Sequence, residues 1–487
     1  MCGAVVLVKP DEQSQACLSY AMARKSCAIA NLLLNLHSTN IMVMNTNPFG
    51  KLKSILRLAV LLCLILMSSQ YLEAQEYNSK KIYTIVTCPA ENTRTGANIS
   101  WAADTACRQT FVEYTALKDK NWKRKEILLP DRYRCTTYDS IYSKRPDGEN
   151  FYENALFDKC NAEVRRLKPN TEYKYRVIAD EDTSGVHYFK TSGAKEWSAC
   201  VISDFHSYTP LPKRTEAAMA MIDTVAAYGN RNNCPIEWVL HLGDICAWGG
   251  SYSFWRTLYE EANYHKYMWG GVNGNHDDMT RKYFTTNKFT RDANFYPRNG
   301  YSGEEGVCYF FEYGDVLFIM LNSEQMRGEE GLQRAMRWVA DVLESHNAKY
   351  KVVCEHYQWF FGADGRDSQY GRWRNLFDKY GVDLALAGNN HIYVRTGAVY
   401  NGKETDGTKG TVYLQTPSSD NERGVDCNNT VAPEHNSDII KYRWAEGPHT
   451  VGACHLKVTP KKMTMVLLDR NGDVLDSVDI LAKKKGR

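Results

Sequence analysis

Two patterns of hydrophobic and polar positions follow one another along the chain. In the first, short segments such as 97–104 (ANISWAAD) and 171–180 (TEYKYRVIAD) place apolar or aromatic residues at every second position. This period is typical of half-buried β-strands, whose successive side chains point to opposite faces of a sheet. Turn residues such as Pro169 and Asn170 separate these segments. The pattern therefore predicts an antiparallel β-sandwich over residues 81–193.

From Trp197 onwards, continuous apolar runs alternate with segments of helical period. The helical period is clearest at 214–228 and 332–345, and the alternation predicts an α/β layered core with strands buried on both faces. We assign residues 196–400 to this domain, and the short strands of 401–482 to its completion. The apolar runs are 197–203, 236–242, 268–272, 316–321, 351–354 and 382–387.

The N-terminal part of the chain has the features of an export signal. Three basic residues between 51 and 57 precede the apolar run 58–67, and a cleavage point follows at Ala74. The run has signal-peptide length and is short for a membrane span. We therefore predict that residues 1–74 are a non-mature extension with a signal peptide, and that the protein is exported to a periplasmic, cell-surface or secreted location. A signal anchor that stays in the membrane is the alternative.

Composition excludes several classes of protein. The 487 residues are 43% hydrophobic and 24% charged, which argues against a disordered chain and against a membrane protein with many spans. Lys and Arg total 60 and Asp and Glu total 57, so the net charge gives no nucleic-acid-binding signature. Of 15 cysteines, 11 follow the predicted signal, and they form no CxxC pair that would indicate a zinc knuckle.

Metal-ligand residue types follow five of the apolar runs. Because ligand sites of open α/β sheets form beyond the carboxyl ends of the strands, we expect these residues to converge at one edge of one sheet. Each ending alone fits an ordinary turn or helix cap, but together they would cost stability through desolvated polar groups unless they bind something. The endings are Asp204-Phe205-His206, Gly243-Asp244, Gly274-Asn275-His276-Asp277, Glu355-His356 and Gly388-Asn389-Asn390-His391.

The donor set in these endings constrains the ion. It is too large for one tetrahedral zinc and suits two ions that share a bridging carboxylate. Imidazole, carboxylate and amide donors without a thiolate favour two divalent or mixed-valence metal ions, namely Fe, Zn or Mn. The six donors are Asp204, His206, Asp244, Asn275, His356 and His391.

This series of motifs resembles that of the calcineurin-like metallophosphoesterase superfamily. A β-sandwich before such a domain is similar to the arrangement of purple acid phosphatases, and residues 448–480 are similar to the way that family ends. The segment 169–175 (PNTEYKY) also resembles a stretch of fibronectin type III domains. The resemblance implies a layered α/β metallophosphoesterase core of β-sheets flanked by helices, preceded by an all-β, fibronectin III-like sandwich.

The resemblance also implies roles for individual residues. Asp204, His206 and His391 would hold the first ion, and Asn275 and His356 the second. Asp244 would bridge the two ions.

The resemblance assigns the catalytic roles to two residues of the Gly274-Asn275-His276-Asp277 motif. His276 would contact the phosphoryl group and help to protonate the leaving oxygen, with Asp277 orienting it. The expected reaction is hydrolysis of a phosphate ester by attack of a metal-bound hydroxide, on a small molecule or a phosphorylated macromolecule.

Two positions depart from the family pattern. Ala247 stands where purple enzymes have the tyrosine that gives their colour, so we expect a colourless relative in which His206 takes over the coordination. Asn389 stands where a histidine ligand of the second ion is expected. An amide oxygen binds zinc more weakly than imidazole does, so the second site is expected to be weak or to favour Mn or Mg.

Alternatives remain for function and for the surroundings of the site. One is a weakly active or inactive metallophosphoesterase-fold protein whose role is binding or adhesion. Arg395 is either a phosphate contact or a surface arginine.

Aromatic residues near the motifs are also open to two interpretations. The segment 359–374, with Trp359, Phe360 and Tyr370, forms either a substrate-facing wall or a packed hydrophobic loop. Trp248 and Tyr252 follow the Gly-Asp motif. They too either face the substrate or pack in the protein.

Overall fold

The computed structural model of the protein describes residues 81–139, 153–208, 211–277, 288–360, 369–419, 438–444 and 451–483. The predicted extension over residues 1–74 lies outside the described residues. No helix in these seven segments combines the length and apolar character needed to cross a membrane.

The residues before Trp197 form two antiparallel sheets, as the alternating pattern predicts. One sheet has the order β1-β2-β6-β5, and the other has the order β4-β3-β7-β8 with β9 added to β7. Asn170 makes the predicted turn with a left-handed φ of 47°. The strands are β1 (Ile82–Pro89), β2 (Ala97–Ala103), β3 (Thr110–Ala116), β4 (Glu126–Leu128), β5 (Asp131–Asp139), β6 (Glu153–Val164), β7 (Glu172–Ala179), β8 (Asp182–Thr183) and β9 (His187–Lys190).

In the first sheet of this sandwich, β1, β2 and most of the described part of β6 are buried on both faces, whereas the edge strand β5 has exposed residues. Trp101 lies in the sandwich core and its indole donates a hydrogen bond to Thr110 Oγ1 at 3.0 Å. The opposite face packs on the following domain, where Phe157 stacks on Tyr252 with ring centroids 4.4 Å apart. The sandwich is therefore docked on its neighbour and not merely tethered to it.

The residues from Trp197 onwards alternate between strands and helices. In chain order the elements are β10 (Trp197–Ile202), α1 (Lys213–Arg231), β11 (Ile236–His241), α2 (Tyr252–Leu258), α3 (Ala262–Lys266), β12 (Met268–Gly271), α4 (Lys288–Ala293), β13 (Tyr309–Tyr313), β14 (Val316–Met320), α5 (Glu329–Ser345), β15 (Tyr350–Cys354), α6 (Gln369–Tyr380), β16 (Leu384–Ala387), β17 (Tyr393–Tyr400), β18 (Lys403–Glu404), β19 (Thr411–Gln415), β20 (Ile440–Trp444), β21 (Gly452–Val458), β22 (Lys462–Asp469) and β23 (Val474–Leu481).

Two sheets, and not one, carry the motifs at their strand ends. The first has the order β12-β11-β10-β21-β22-β23, with β10, β11 and β12 parallel. The second runs β13-β14-β15-β16-β19-β17-β18, with β14, β15, β16 and β19 parallel. The expectation of a single sheet edge is wrong, because β10, β11 and β12 pair in one sheet and β14, β15 and β16 in another, and β21 occupies the free side of β10. The predicted α/β layered fold itself is confirmed.

A second hydrophobic core covers the outer face of the second sheet. Helix α5 contributes Leu332, Ala335, Val339 and Val342, which recur at helical spacing and are buried. This repeat explains why the helix was predictable.

The same core contains the aromatic residues of the predicted substrate wall. Trp359 and Phe360 are fully buried and Tyr370 nearly so, and all three rings lie close to Tyr413. The wall interpretation is therefore wrong for these three residues, which pack in this core, Tyr370 from helix α6.

The ten described cysteines after residue 80 are buried and form no disulfide among themselves. Burial raises the pKa of several of these thiols, for example that of Cys88 to about 12. They act as small apolar core residues in this fold.

Candidate metal centre

The loops after the parallel strands carry an unusual backbone. Five residues of the predicted site have a positive φ, a conformation that non-glycine residues rarely adopt and that clusters at functional sites. Hydrogen bonds between loops hold this geometry, because Asp204 N donates to Gly243 O at 3.1 Å and His206 N donates to Asp244 O at 2.9 Å. The five are Asp204 (53°), His206 (44°), Asp244 (52°), Asn389 (72°) and His391 (61°).

Asp204, His206 and His391 form the first group of candidate ligands. Their donor atoms lie within 4.8 Å of one another, and His391 Nε2 is 3.6 Å from Asp204 Oδ1. Asp204 is fully buried, and its Oδ1 has no hydrogen-bond partner in the described part of the chain. A buried carboxylate oxygen without a donor is costly, and a cation at this place would satisfy it.

Asp244 stands between two histidines that come from different sheets. Its Oδ2 lies 3.3 Å from His206 Nε2 and 3.4 Å from His356 Nε2. The side chain also belongs to two further groups of close donors, one with His206 and His276 and one with Asp204 and His356. Asp244 therefore lies at the centre of the cluster, within reach of donors from both sheets.

His356 and Asn275 approach each other on the far side of Asp244. His356 Nε2 is 3.2 Å from Asn275 Oδ1. The structure therefore brings together the six donors predicted from the sequence.

The same type of hydrogen bond orients three histidines of the cluster. Each donates Nδ1–H to a backbone carbonyl, which directs Nε2 at the cluster, as in many metal-bound histidines. The pairs are His206 with Asp204 O at 3.0 Å, His356 with Leu242 O at 2.7 Å, and His276 with Ala247 O at 2.9 Å.

The role of Asp277 differs from the predicted one. Its buried carboxylate accepts hydrogen bonds from the backbone N–H groups of Asp244 at 2.8 Å, Gly274 at 2.9 Å and Cys246 at 3.0 Å. The carbonyl of Ala247, and not Asp277, orients His276. Asp277 instead ties the Gly-Asp loop to the Gly-Asn-His-Asp loop.

The second oxygen of Asp204 is held by groups that the sequence did not indicate. Ser203 Oγ donates to Asp204 Oδ2 at 2.5 Å, and the backbone N of Asn389 donates to the same oxygen at 2.9 Å. Ser418 Oγ donates to the backbone carbonyl of Asp204 at 2.7 Å. Ser418 lies 214 residues further along the chain, and no local pattern marks it.

The glycines of the motifs allow the loops to approach one another. A Cβ at Gly274 would lie 2.3 Å from both the backbone N and Oδ1 of Asp244. A Cβ at Gly388 would lie 2.2 Å from Ser203 Oγ and 2.6 Å from Asp204 Oδ2. Any side chain at these two positions would displace a candidate ligand.

Burial and charge separate the pKa values of the two aspartates. Burial raises the pKa of Asp204. Burial alone would also raise that of Asp244, but the charge of His356 and hydrogen bonds from His206 and His356 hold the pKa of Asp244 well below its usual value. Two interacting carboxylates with opposite shifts are typical of functional sites.

Asn389 lies beside the first group of ligands. Its amide nitrogen donates to Gln358 Oε1 at 2.5 Å, which leaves the amide oxygen available to a ligand. Gln358 is buried, two positions after His356. The sequence did not single it out.

Arg395 is engaged elsewhere. Its guanidinium donates to Asp476 through Nε at 2.5 Å and through Nη2 at 2.8 Å, and Tyr393 donates to the same carboxylate. The guanidinium is half-buried and paired with Asp476, so it fits neither the predicted phosphate contact nor an unpaired surface arginine.

The two aromatic residues after the Gly-Asp motif differ in their surroundings. Trp248 is half-buried, and its ring centroid lies 5.8 Å from that of His276. Tyr252 packs on the sandwich and is buried there.

Comparisons with known proteins agree with this geometry. Residues 199–393 match the family model of the calcineurin-like phosphoesterases. Uncharacterized proteins from two strains of Mycobacterium tuberculosis are 26% identical over 322 residues, which cover 53% of this chain. The chain spans only 58% of the length of these relatives.

Solved structures share the fold at low sequence identity. A purple acid phosphatase from yellow lupin seeds superposes with a TM-score of 0.63 and 17% identity, covering 83% of this chain and 75% of the lupin chain. PhoD superposes with a TM-score of 0.53 and 12% identity, covering 84% of this chain and 94% of its own. Residues 199–393 therefore resemble a calcineurin-like phosphoesterase domain, and the chain shares its fold with the lupin purple acid phosphatase and with PhoD.

Proposed function

We propose that the protein is a metal-dependent phosphohydrolase that acts on phosphate ester bonds. The observation that carries the proposal is the position of Asp244 Oδ2, within 3.4 Å of histidines from both candidate ion sites. Beside it lies the buried Oδ1 of Asp204 without a hydrogen-bond partner among the described residues. A phosphoesterase domain gives this cluster its chemical setting.

The residues fit two cations that share one carboxylate. Asp204, His206 and His391 would hold the first ion, and Asn275 and His356 the second, with Asp244 between them. Bound there, Fe, Zn or Mn would supply an activated water and would neutralise the charge of the phosphate.

His276 is the proposed acid for the leaving group. Ala247 O accepts the Nδ1 proton at 2.9 Å, so Nε2 is the atom that carries or gives up a proton toward the substrate. The ring is half-buried and lies 4.8 Å from that of His206, centroid to centroid. A group placed in this way contributes about 10²- to 10⁴-fold to a rate.

Hydrolysis of a generic aryl phosphate by metal-reconstituted protein tests the proposal. We expect activity that is lost on chelation, restored by Mn²⁺ or Zn²⁺, and reduced at least about 100-fold by Asp244→Asn, because both ions lose their shared ligand. Asp476→Asn, which changes a partly buried carboxylate outside the cluster, should keep the activity. Equal loss in both variants, or hydrolysis that resists chelation, would contradict the proposal.

A binding role is the second candidate, and Asn389 favours it. With an amide in place of the expected imidazole, the second ion would be held weakly and turnover would be low. Elemental analysis with and without phosphate separates the two functions. Two ions in both conditions favour the hydrolase, whereas one ion in both conditions favours a binding protein.

We further propose that the protein is exported, on the basis of the basic residues and the apolar run 58–67. The substrate would then be a phosphate ester, small or macromolecular, outside the cytoplasm. Mass spectrometry of the protein from its natural cells should find an N-terminus near Gln75. A chain in the cytoplasmic fraction that retains the apolar run 58–67 would count against export.

A further inference from the structure

Trp248 is a half-buried aromatic residue beside the candidate metal centre. Its ring centroid lies 5.8 Å from that of His276, and the two ring planes are inclined at 53°. In this tilted arrangement the imidazole does not stack on the face of the indole. The His276 ring therefore contacts one ring of the metal centre, that of His206 at 4.8 Å, and one ring outside it, that of Trp248.

Backbone hydrogen bonds on both sides of Trp248 hold it beside His276. The imidazole of His276 donates Nδ1–H to Ala247 O at 2.9 Å. Gly249 N donates to His276 O at 2.9 Å, and the Gly249 carbonyl accepts the indole N–H of Trp255 at 2.7 Å. Trp248 therefore cannot move away from His276 unless these hydrogen bonds break.

The exposure of Trp248 differs from that of the other aromatic residues predicted as possible substrate contacts. Its ring packs against the larger hydrophobic core and still keeps part of its surface exposed. Ligand sites commonly combine an aromatic side chain of this kind with a few convergent polar groups. The other candidates, Tyr252, Trp359, Phe360 and Tyr370, are buried.

We propose that Trp248 contacts the leaving group of the substrate and favours phosphate esters whose leaving group is planar and aromatic. The inference rests on the proposed function, in which His276 protonates the leaving oxygen, because the atoms attached to that oxygen then lie next to His276. A planar ring packed against the indole gains contact area and aromatic interaction energy that a small alkyl group does not provide. Trp248 is thus a specificity-determining residue.

Equilibrium binding of two phosphonates tests this role. The full chain, loaded with Mn²⁺, is titrated in a calorimeter with phenylphosphonate and with methylphosphonate. Both compounds carry the phosphoryl oxygens that the metal centre would bind, but only phenylphosphonate has a planar aromatic group. We expect wild type to bind phenylphosphonate at least about 5-fold more tightly than methylphosphonate.

Variants of two tryptophans show whether Trp248 causes this preference. Trp248→Ala should weaken the binding of phenylphosphonate at least about 5-fold and leave that of methylphosphonate unchanged, and Trp248→Phe should keep most of the preference. Trp338→Ala is the matched control, because Trp338 is also half-buried but lies on α5 and donates its indole N–H to Asn299 O at 3.1 Å. The control should keep the affinity ratio of wild type.

Binding of methylphosphonate to Trp248→Ala would show that the metal centre of the variant is intact. An affinity ratio in Trp248→Ala equal to that of wild type, or an equal loss for both phosphonates in Trp248→Ala and Trp248→Phe, would overturn the proposal. Because binding is measured and not hydrolysis, this result is separate from the test of the proposed function. A protein that hydrolyses aryl phosphates but shows no dependence on Trp248 would contradict the role of Trp248 alone.

Discussion

A buried lysine at the junction of the two domains gives the sharpest test of the packing. Lys159 on β6 is fully buried, and its Nζ has no hydrogen-bond partner among the described residues. Burial lowers its pKa from 10.5 to about 8. We predict that Lys159→Met, which keeps an unbranched side chain of similar length, stabilises the protein at neutral pH.

The size of the effect follows from the pKa difference. The folded state binds fewer protons than the unfolded state between pH 8 and 10.5, so stability rises with pH through this window. The loss of folding free energy caused by the charge on Lys159 has its full value below pH 8 and disappears above pH 10.5. A difference of 2.5 between 10.5 and about 8 corresponds to about 3 kcal/mol at pH 7, falling below about 1 kcal/mol at pH 10.

Urea unfolding followed by tryptophan fluorescence measures this difference. Lys159→Met should gain about 3 kcal/mol over wild type at pH 7, and most of the gain should vanish by pH 10. Lys174→Met is the control, because Lys174 Nζ donates to Lys120 O at 3.2 Å and lies over the Trp122 ring. The control should be destabilised. A Lys159→Met gain that is the same at both pH values, or a loss at pH 7, would refute the reasoning.

Three further predictions concern the metal centre. His276→Gln should lower kcat for an aryl phosphate about 10²- to 10⁴-fold while metal content stays unchanged, and the loss should be greater for poorer leaving groups. Asn389→His should raise both occupancy of the second ion and the hydrolysis rate, and no change in either would count against a weakened second site. Gly388→Ala should lower metal affinity at least about 10-fold, measured by competition with a chelator, because its Cβ would lie 2.2 Å from Ser203 Oγ. Gly371→Ala, with no atom within 4 Å of the added carbon, should bind metal normally.

Elements that depend on local pattern were predictable from the sequence. The period of two marked the sandwich strands, and the repeat at Leu332, Ala335 and Val339 marked α5. The residues after the apolar runs indicated the metal donors. A strand that ends in a buried Asp, Asn or His loses hydration free energy, which destabilises the fold unless a ligand compensates for it. These signals need only neighbouring residues.

Features that depend on distant parts of the chain were not predictable. The strands that carry the donors pair in two separate sheets, with β21 beside β10, and nothing near these strands indicates it. Arg395 is paired with Asp476, 81 positions away, and Ser418 supports Asp204 across 214 positions. Segment 359–374 has the composition of a loop, but its aromatic rings are buried in the core between α6 and the second sheet.

Anomalous diffraction from crystals grown with saturating Mn²⁺ tests the central claim most directly. The account predicts two manganese peaks on either side of Asp244, one among Asp204, His206 and His391 and the other beside Asn275 and His356. The absence of any peak within this ring of side chains, in protein that is folded and saturated with Mn²⁺, would contradict it.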